Sequence, residues 1–361
     1  MKWVSIIRFF VLLLATCGVL VLVSGCYAEE GDDSRGLNGS DGDADADSDT
    51  DTDADGGSDG DVDGDADGDA DNGKKGCSAM DILFVIDDSG SMDCEQSKLG
   101  AAFPGFIDVL EQYNNINADQ IDYRVGVTTT GRSVRYKIKV PGFPEIPMNE
   151  PGRDGRLVDV PGETSPWIDG PDPNKNLGSV FQQMASVGTS GPSYEMPLAS
   201  LRLALEKVAP GEPNEGFLRE EALFVVVIIT DEDDCSRPDG DNDFSMFSDD
   251  CMAAPLKHNL VDLGEFQQIL ESRFGEGGYV VVTIAGASDC EVSGTMCSAN
   301  DNYGGAMLAD RLIDFTENYI GTEEGRNGVF ADLCTIELPT ALEQALDKME
   351  VVCDEYTGPV L

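Results

Sequence analysis

The run Asp81-Ile82-Leu83-Phe84-Val85-Ile86-Asp87-Asp88-Ser89-Gly90-Ser91-Met92 constrains this chain more than any other stretch. Ile82 to Ile86 are apolar without alternation. The run is too short for a buried helix and rich enough in β-branched residues for a strand. A strand with no polar face must be covered on both sides, as in a parallel sheet flanked by helices. The run stops abruptly at an acid. Asp87, Ser89 and Ser91 then fall on the loop leaving the strand's carboxyl end, where open α/β sheets place their ligands. One carboxylate and two hydroxyls at alternate positions form a set of hard oxygen donors suited to Mg²⁺, Mn²⁺ or Ca²⁺. The plainer reading of the same residues is a polar β-to-α turn with an N-cap serine.

Charge narrows the partners. The 361 residues include 69 acids and 23 Lys or Arg, a net charge of −46. Such a field repels nucleic acids and anionic membrane surfaces, and favours basic partners or divalent cations. The only histidine, His258, lies in Leu256-Lys257-His258-Asn259 with no nucleophile motif nearby. A Ser–His–Asp site or a His-Glu-x-x-His zinc site would need more than that. His258 reads as an ordinary surface residue.

Residues 1–26 read as an export segment. Lys2 and Arg8 precede an apolar stretch, which ends in Val23-Ser24-Gly25-Cys26. Small residues before a cysteine resemble the bacterial lipobox. That resemblance implies cleavage before Cys26 and lipidation of it, hence a lipid-anchored protein of the bacterial cell envelope. Tyr27 follows instead of the aspartate that retains such proteins at the inner membrane, which points to the outer membrane or cell surface. Residues 27–76 alternate aspartate with Gly, Ala, Ser and Thr and offer almost nothing to bury. They read as a disordered tether, with a mean reach of roughly 40 Å. Asp51-x-Asp53-x-Asp55-Gly56 and Asp63-x-Asp65-x-Asp67-Gly68 imitate the start of calcium loops. Their twelfth positions are Val62 and Lys74, so a solvated spacer is the better account.

Beyond the first strand, Leu99, Ala102, Phe103, Phe106, Ile107 and Leu110 recur at helical spacing, with Pro104-Gly105 set to kink the helix or delay its start. Tyr123 to Val127 and Val134 to Val140 read as two strands joined in a hairpin, the second alternating with basic residues as on a sheet edge. The prolines between 141 and 175 predict an ordered loop with little regular structure, which Trp167 pins to the body. Leu177 to Val187 and the stripe Leu198, Leu201, Leu205, Val208 predict two helices. Leu223 to Ile229 predicts a central strand, Tyr279 to Ala285 a third buried strand, and Val329-Phe330 a short last one. Leu338 to Val351 predicts a closing helix. Alternating elements of this kind imply a doubly wound, mostly parallel α/β sheet with helices on both faces.

Asp87-x-Ser89-x-Ser91 after a buried strand resembles the opening of the metal-ion-dependent adhesion site of von Willebrand factor type A domains. The resemblance covers roughly residues 78 to 355 and implies that family's Rossmann-like sheet with one antiparallel edge strand. It further implies a threonine ligand from the loop before the second of the two helices, where Thr189 stands with Ser190 and Ser193 as fallbacks. An aspartate where the central strand breaks completes the set, which is Asp231 in Thr230-Asp231-Glu232-Asp233-Asp234. The remaining acids of that run read as solvated or supporting groups. The implied function is binding, not turnover: Mg²⁺, or Mn²⁺ or Ca²⁺, accepts an exposed Asp or Glu of a protein partner. The integrin-like adjacent site needs two further acids soon after Ser91, and Cys94-Glu95 departs from that pattern. Two rivals stand beside this reading. A phosphohydrolase of the haloacid dehalogenase type needs an acid at the position held by Ser89. A structural envelope protein would carry the same cage without using it.

Setting aside Cys17 and Cys26 leaves Cys77, Cys94, Cys235, Cys251, Cys290, Cys297, Cys334 and Cys353, an even count that suggests four disulfides in an exported domain. Cys77 precedes the first strand and Cys353 ends a helix returning to the same pole, so these two are predicted to pair. Sequence proximity suggests Cys235–Cys251 and Cys290–Cys297, leaving Cys94–Cys334.

Overall fold

Strand β1, Ala79–Ile86, is buried along its whole length and lies between two parallel neighbours. β2 (Asp122–Thr129) pairs with it over eight residues, and β6 (Leu223–Ile229) over seven. The full sheet runs β5-β2-β1-β6-β8-β9, where β5 is Ile168–Gly170, β8 Tyr279–Ala285 and β9 Gly328–Asp332. Every pairing is parallel except β2–β5. The computed structural model describes residues 76–113, 119–138, 142–238, 243–245, 259–290, 305–320, 327–356 and 358, all within one unit, Asp67–Leu361. Residues 1–26 with Cys26, the tether up to residue 75, Cys251, His258 and Cys297 lie outside the described residues.

The unbroken apolar strands are explained by two separate cores. Ile82, Phe84 and Ile86 point to one face, with Val225, Val227 and Ile229 of β6. There they meet α1 (Asp93–Leu110), α2 (Leu177–Ala185) and α6 (Leu338–Glu355). Leu83 and Val85 point the other way, with Phe224, Val226 and Ile228. That face is covered by α3 (Pro197–Glu206), α4 (Leu263–Phe274) and α5 (Asp310–Asp314), the last continuing as a π-helical turn, Phe315–Ile320. Alternation between two dry faces leaves few positions for polar side chains within the strands, among them Asp81, paired with Arg219, and Thr283, paired with Thr316. Helices α4 and α5 are additional to the predicted elements, although Leu263, Phe266 and Leu270 form a regular buried stripe.

Three expectations are corrected. β2 and β3 (Val134–Ile138) do not form a hairpin. β3 leaves the main sheet and joins a small second one, ordered β4-β3-β7, with β4 at Ile146–Glu150 and β7 at Asp243–Ser245. The antiparallel edge of the main sheet is β5, which together with β4 supplies regular structure inside the proline-rich segment. Local alternation marked β3 as an edge strand, but it lies between β4 and β7 at the centre of the small sheet, because alternation reports a half-exposed face and not the number of neighbours. Third, Cys290 bonds Cys334, not Cys297, so Cys334 is not a partner for Cys94. The loops after β8 and β9 lie side by side because their strands are neighbours, and that proximity in space overrides proximity in sequence. Cys77 bonds Cys353 as topology predicts. Cys235 is also disulfide-bonded. Trp167 is buried against Phe217 with Arg124 over its ring, and so pins its segment as expected.

Pro104 does not delay α1, which runs through it from Asp93. A proline at 104 leaves the carbonyl of Gly100 without its helical donor. Gln182 of α2 donates its side-chain amide to that oxygen at 2.6 Å, while Gly178 lies against Pro104 closely enough that a Cβ would stand 3.1 Å from its Cα. Gln182→Ala should therefore destabilise the fold by about 1–2 kcal/mol in urea unfolding, because it strands a half-buried carbonyl. A change within a few tenths would show that water satisfies Gly100 equally well.

Candidate metal centre

The parallel strands β1, β2 and β6 all end at the same pole, and each ends in polar groups. Asp87 follows β1, Thr130 follows β2, and Thr230-Asp231 follows β6. The ladder carries on into this rim: Asp87 N–H donates to Ile229 O at 2.9 Å, and Thr130 N–H to Ile86 O at 3.2 Å. Asp87 is wholly buried. Its Oδ1 accepts the Ser89 N–H at 2.8 Å and its Oδ2 accepts the Thr230 hydroxyl at 2.6 Å. The Ser89 and Ser91 hydroxyls are 2.7 Å apart, and Ser91 donates to Asp231 Oδ1 at 3.1 Å. Four of the five predicted oxygen-bearing side chains are thus joined, directly or through Thr230 and the Ser89 backbone.

Thr189 is the exception. It is half-exposed in the loop before α3 and makes none of the hydrogen bonds that join the other four. Ser193 is held elsewhere, its N–H donating to Glu150 Oε2 at 2.8 Å. The loop does reach the rim at Gly191, whose N–H donates to Asp88 O at 2.6 Å. A Cβ on Gly191 would stand 2.3 Å from Asp88 Oδ1, so only glycine allows this approach.

The segment brings a different group inward. Glu195 is wholly buried, accepts the Thr130 hydroxyl on Oε2, and has no donor for Oε1. Thr130 lies at the end of β2 with its N–H on Ile86 O, so Glu195 is held at the same rim as Asp87, whose charge it feels. Sequence reasoning passed over it. The available signal was an acid between Tyr194 and Met196, directly ahead of a helix-initiating Pro197. Glu95 was likewise passed over: it is buried at the start of α1 with neither oxygen paired.

Asp233 and Asp234 of the 230–234 run are structural. Asp233 accepts the N–H groups of Arg311 and Leu312 at the start of α5, at 3.0 and 3.2 Å. Asp234 accepts the Leu198 N–H at 3.1 Å at the start of α3 and pairs with Arg311 at 3.2 Å. Carboxylates at helix N-termini satisfy otherwise orphaned donors, and here they fix the loop that carries Asp231.

So many acids in one buried place oppose their own ionisation. Burial first, then the charges of Asp87, Glu232 and Glu95, push Asp231 up to about 9. Burial followed by the charge of Asp87 raises Glu195 well above the usual range, and burial raises Asp87 despite its hydrogen bonds from Thr230 and Ser89. Asp88 rises to about 6 and Glu95 to about 7, mainly through burial. Buried carboxylate oxygens without donors on Asp88, Glu95 and Glu195 are what a cation would satisfy. The mixture of carboxylates and hydroxyls fits a hard divalent ion. Among the described residues no three acidic, His or Cys side chains converge on one point, so hydroxyls must complete any coordination shell.

No family model matches the chain, and no curated protein is similar to it. Among solved structures it is similar to proximal thread matrix protein 1 from the mussel byssus, solved with a zinc-occupied MIDAS motif, at 12% identity and a TM-score of 0.37, covering 76% of this chain and 49% of that one. It is similar to the pilus adhesin RrgA from Streptococcus pneumoniae at 10% identity and a TM-score of 0.39, covering 74% and 44%. It is also similar to the manganese-loaded TRAP protein of Plasmodium vivax at 13% identity and a TM-score of 0.32, covering 75% and 74%. The chain spans about half the length of the mussel protein and less than half of the pneumococcal one.

The raised carboxylates set a pH dependence. A folded-state pKa above the unfolded value contributes stability that is full below about pH 4 and is lost as pH rises through the folded values. With Asp88 near 6, Glu95 near 7 and Asp231 near 9, the chelator-treated protein should melt progressively lower from pH 5 to pH 9. Saturating Mg²⁺ or Mn²⁺ should remove most of that fall, and Asp231→Asn should flatten its alkaline end. A melting temperature that is flat with pH in chelator would contradict the electrostatics described.

Proposed function

We propose that this chain presents a divalent-cation-dependent protein-binding domain, displayed on the bacterial cell envelope by a lipidated Cys26 and an acidic tether. The observation that carries the reading is the linkage of Asp87, Ser89, Ser91 and Asp231 at one rim, beside buried carboxylate oxygens that lack donors. Asp87, Ser89, Ser91 and Asp231 would hold the ion, with Thr189 or a neighbour from its loop. A bound Mg²⁺ or Mn²⁺ with few anionic ligands offers an exchangeable position to a carboxylate of a partner.

The chain's own residues support a protein partner in other ways. Ser91 is half-buried, so the hydroxyl end of the centre faces the surface while Asp87 is sealed beneath it. Met307 and Leu308 are two of the six exposed large hydrophobic side chains among the described residues. They sit on the segment whose Met307 N–H donates to Asp231 O at 2.8 Å, so apolar surface lies beside the acid. Such surface suits contact with a folded partner more than with a small polar substrate. Among the described residues no helix is long and apolar enough to cross a membrane.

Purified protein should bind close to one Mn²⁺ per chain in calorimetry, and Asp87→Ala should weaken that by at least 100-fold. A short Asp-containing peptide should perturb the bound Mn²⁺ resonance, and its Asn counterpart should not. Absence of stoichiometric Mn²⁺ binding would defeat the reading. Hydrolysis of a phosphate ester that vanishes in Asp87→Ala would replace it with the enzyme alternative.

A further inference from the structure

The segment between α2 and α3 was expected to contribute a hydroxyl, yet the group it delivers to the buried side of the rim is a carboxylate. Backbone links fix Glu195 there on two sides, to the end of β2 and to the loop after β6. Its carbonyl accepts the Cys235 N–H at 2.7 Å, it forms an antiparallel bridge with Gly131, and the next residue, Met196, donates its N–H to Thr130 O at 3.2 Å. Glu195 is therefore stitched between the end of β2 and the loop after β6. Its side chain is held at the rim that carries Asp87, through Thr130, whose hydroxyl donates to Oε2 and whose N–H donates to Ile86 O, and its Oε1 has no donor. Two carboxylates buried at one rim, one of them with an unpaired oxygen, call for either protons or a cation. Where the fold buries acids nearby for a structural purpose, as with Asp233 and Asp234, both oxygens of each are satisfied.

Resting on the metal reading above, we infer that Glu195 is the ligand this segment supplies to the ion, in the place expected of Thr189. The centre is then Asp87 and Glu195 with the Ser89 and Ser91 hydroxyls and with Asp231, which Ser91 reaches at 3.1 Å. The added negative charge draws the ion deeper and binds it more tightly than one carboxylate and hydroxyls would. It also leaves the ion a weaker acceptor for an incoming carboxylate, so the centre trades partner affinity for retention of its metal.

Mn²⁺ titration of the full chain, followed by electron paramagnetic resonance, separates the two roles. Glu195→Gln keeps the shape without the charge, so it mimics a protonated glutamate. If Glu195 is a ligand, E195Q should bind Mn²⁺ at least 10-fold more weakly, Glu195→Asp should recover part of the loss, and Thr189→Val should cost less than E195Q. E195Q should also melt higher than wild type in chelator at pH 8, which shows that it folds. Equal or tighter Mn²⁺ binding by E195Q would overturn the inference and leave Glu195 as a protonated prop for Asp87. Failure of the wild-type chain to bind Mn²⁺ would instead overturn the metal reading on which the inference rests.

Discussion

A carboxylate with no access to solvent, at the carboxyl end of the central strand, is the constraint about which one pole of this molecule is built. Asp87 cannot be hydrated, so its oxygens must be met by protein groups or by a cation. Thr230 and the Ser89 backbone meet two of its lone pairs. These contacts in turn require β1 and β6 to be neighbours in register, because Thr230 reaches Asp87 only when Ile86 lies opposite Ile229. The two dry cores serve the same end. They hold three parallel strands rigidly enough that the polar residues at their tips meet within hydrogen-bonding distance.

Much of the surrounding polar structure keeps this pole from flying apart. Asp233 and Asp234 are neutralised at helix N-termini and by Arg311, which leaves Asp231 as the member of its run free to face the serines. Gly191 lets a loop backbone approach Asp88 where any side chain would collide. The concentration of acids is costly in the folded protein without a cation, and a chain at −46 offers little compensating positive field.

The layers of the fold could be read from the residues, since Ile82–Ile86, Leu223–Ile229 and Tyr279–Ala285 allow nothing but strands buried on both faces. Strand register, and with it the Asp87–Thr230 contact, could not. The excursion of β3 into a second sheet was hidden because alternation reports one half-exposed face and says nothing about the neighbour. That Ser89 and Ser91 meet at a strand end was legible from their spacing after an apolar run, whereas Asp231 was singled out only through the resemblance to von Willebrand factor type A domains. Glu195 was not, because its role depends on a bridge to Gly131 and a bond from Cys235, two partners remote in sequence. The Cys290–Cys334 bond was illegible for the same reason: strand order, not spacing, brings the two loops together.

The bond between Cys77 and Cys353 has a mechanical side. It lies just before β1, at the opposite end of that strand from Asp87, and the Cys77 N–H also donates to Cys353 O at 2.8 Å. Tension applied between the chain preceding Cys77 and an object gripped at the rim would run along the axis of β1. The ladders to β2 and β6 would then be loaded in shear, all rungs together, instead of being unzipped one at a time. Part of the pull would pass through the sulfur bridge into α6 and the core beneath it. Under such a load β1 would resist through all its rungs at once.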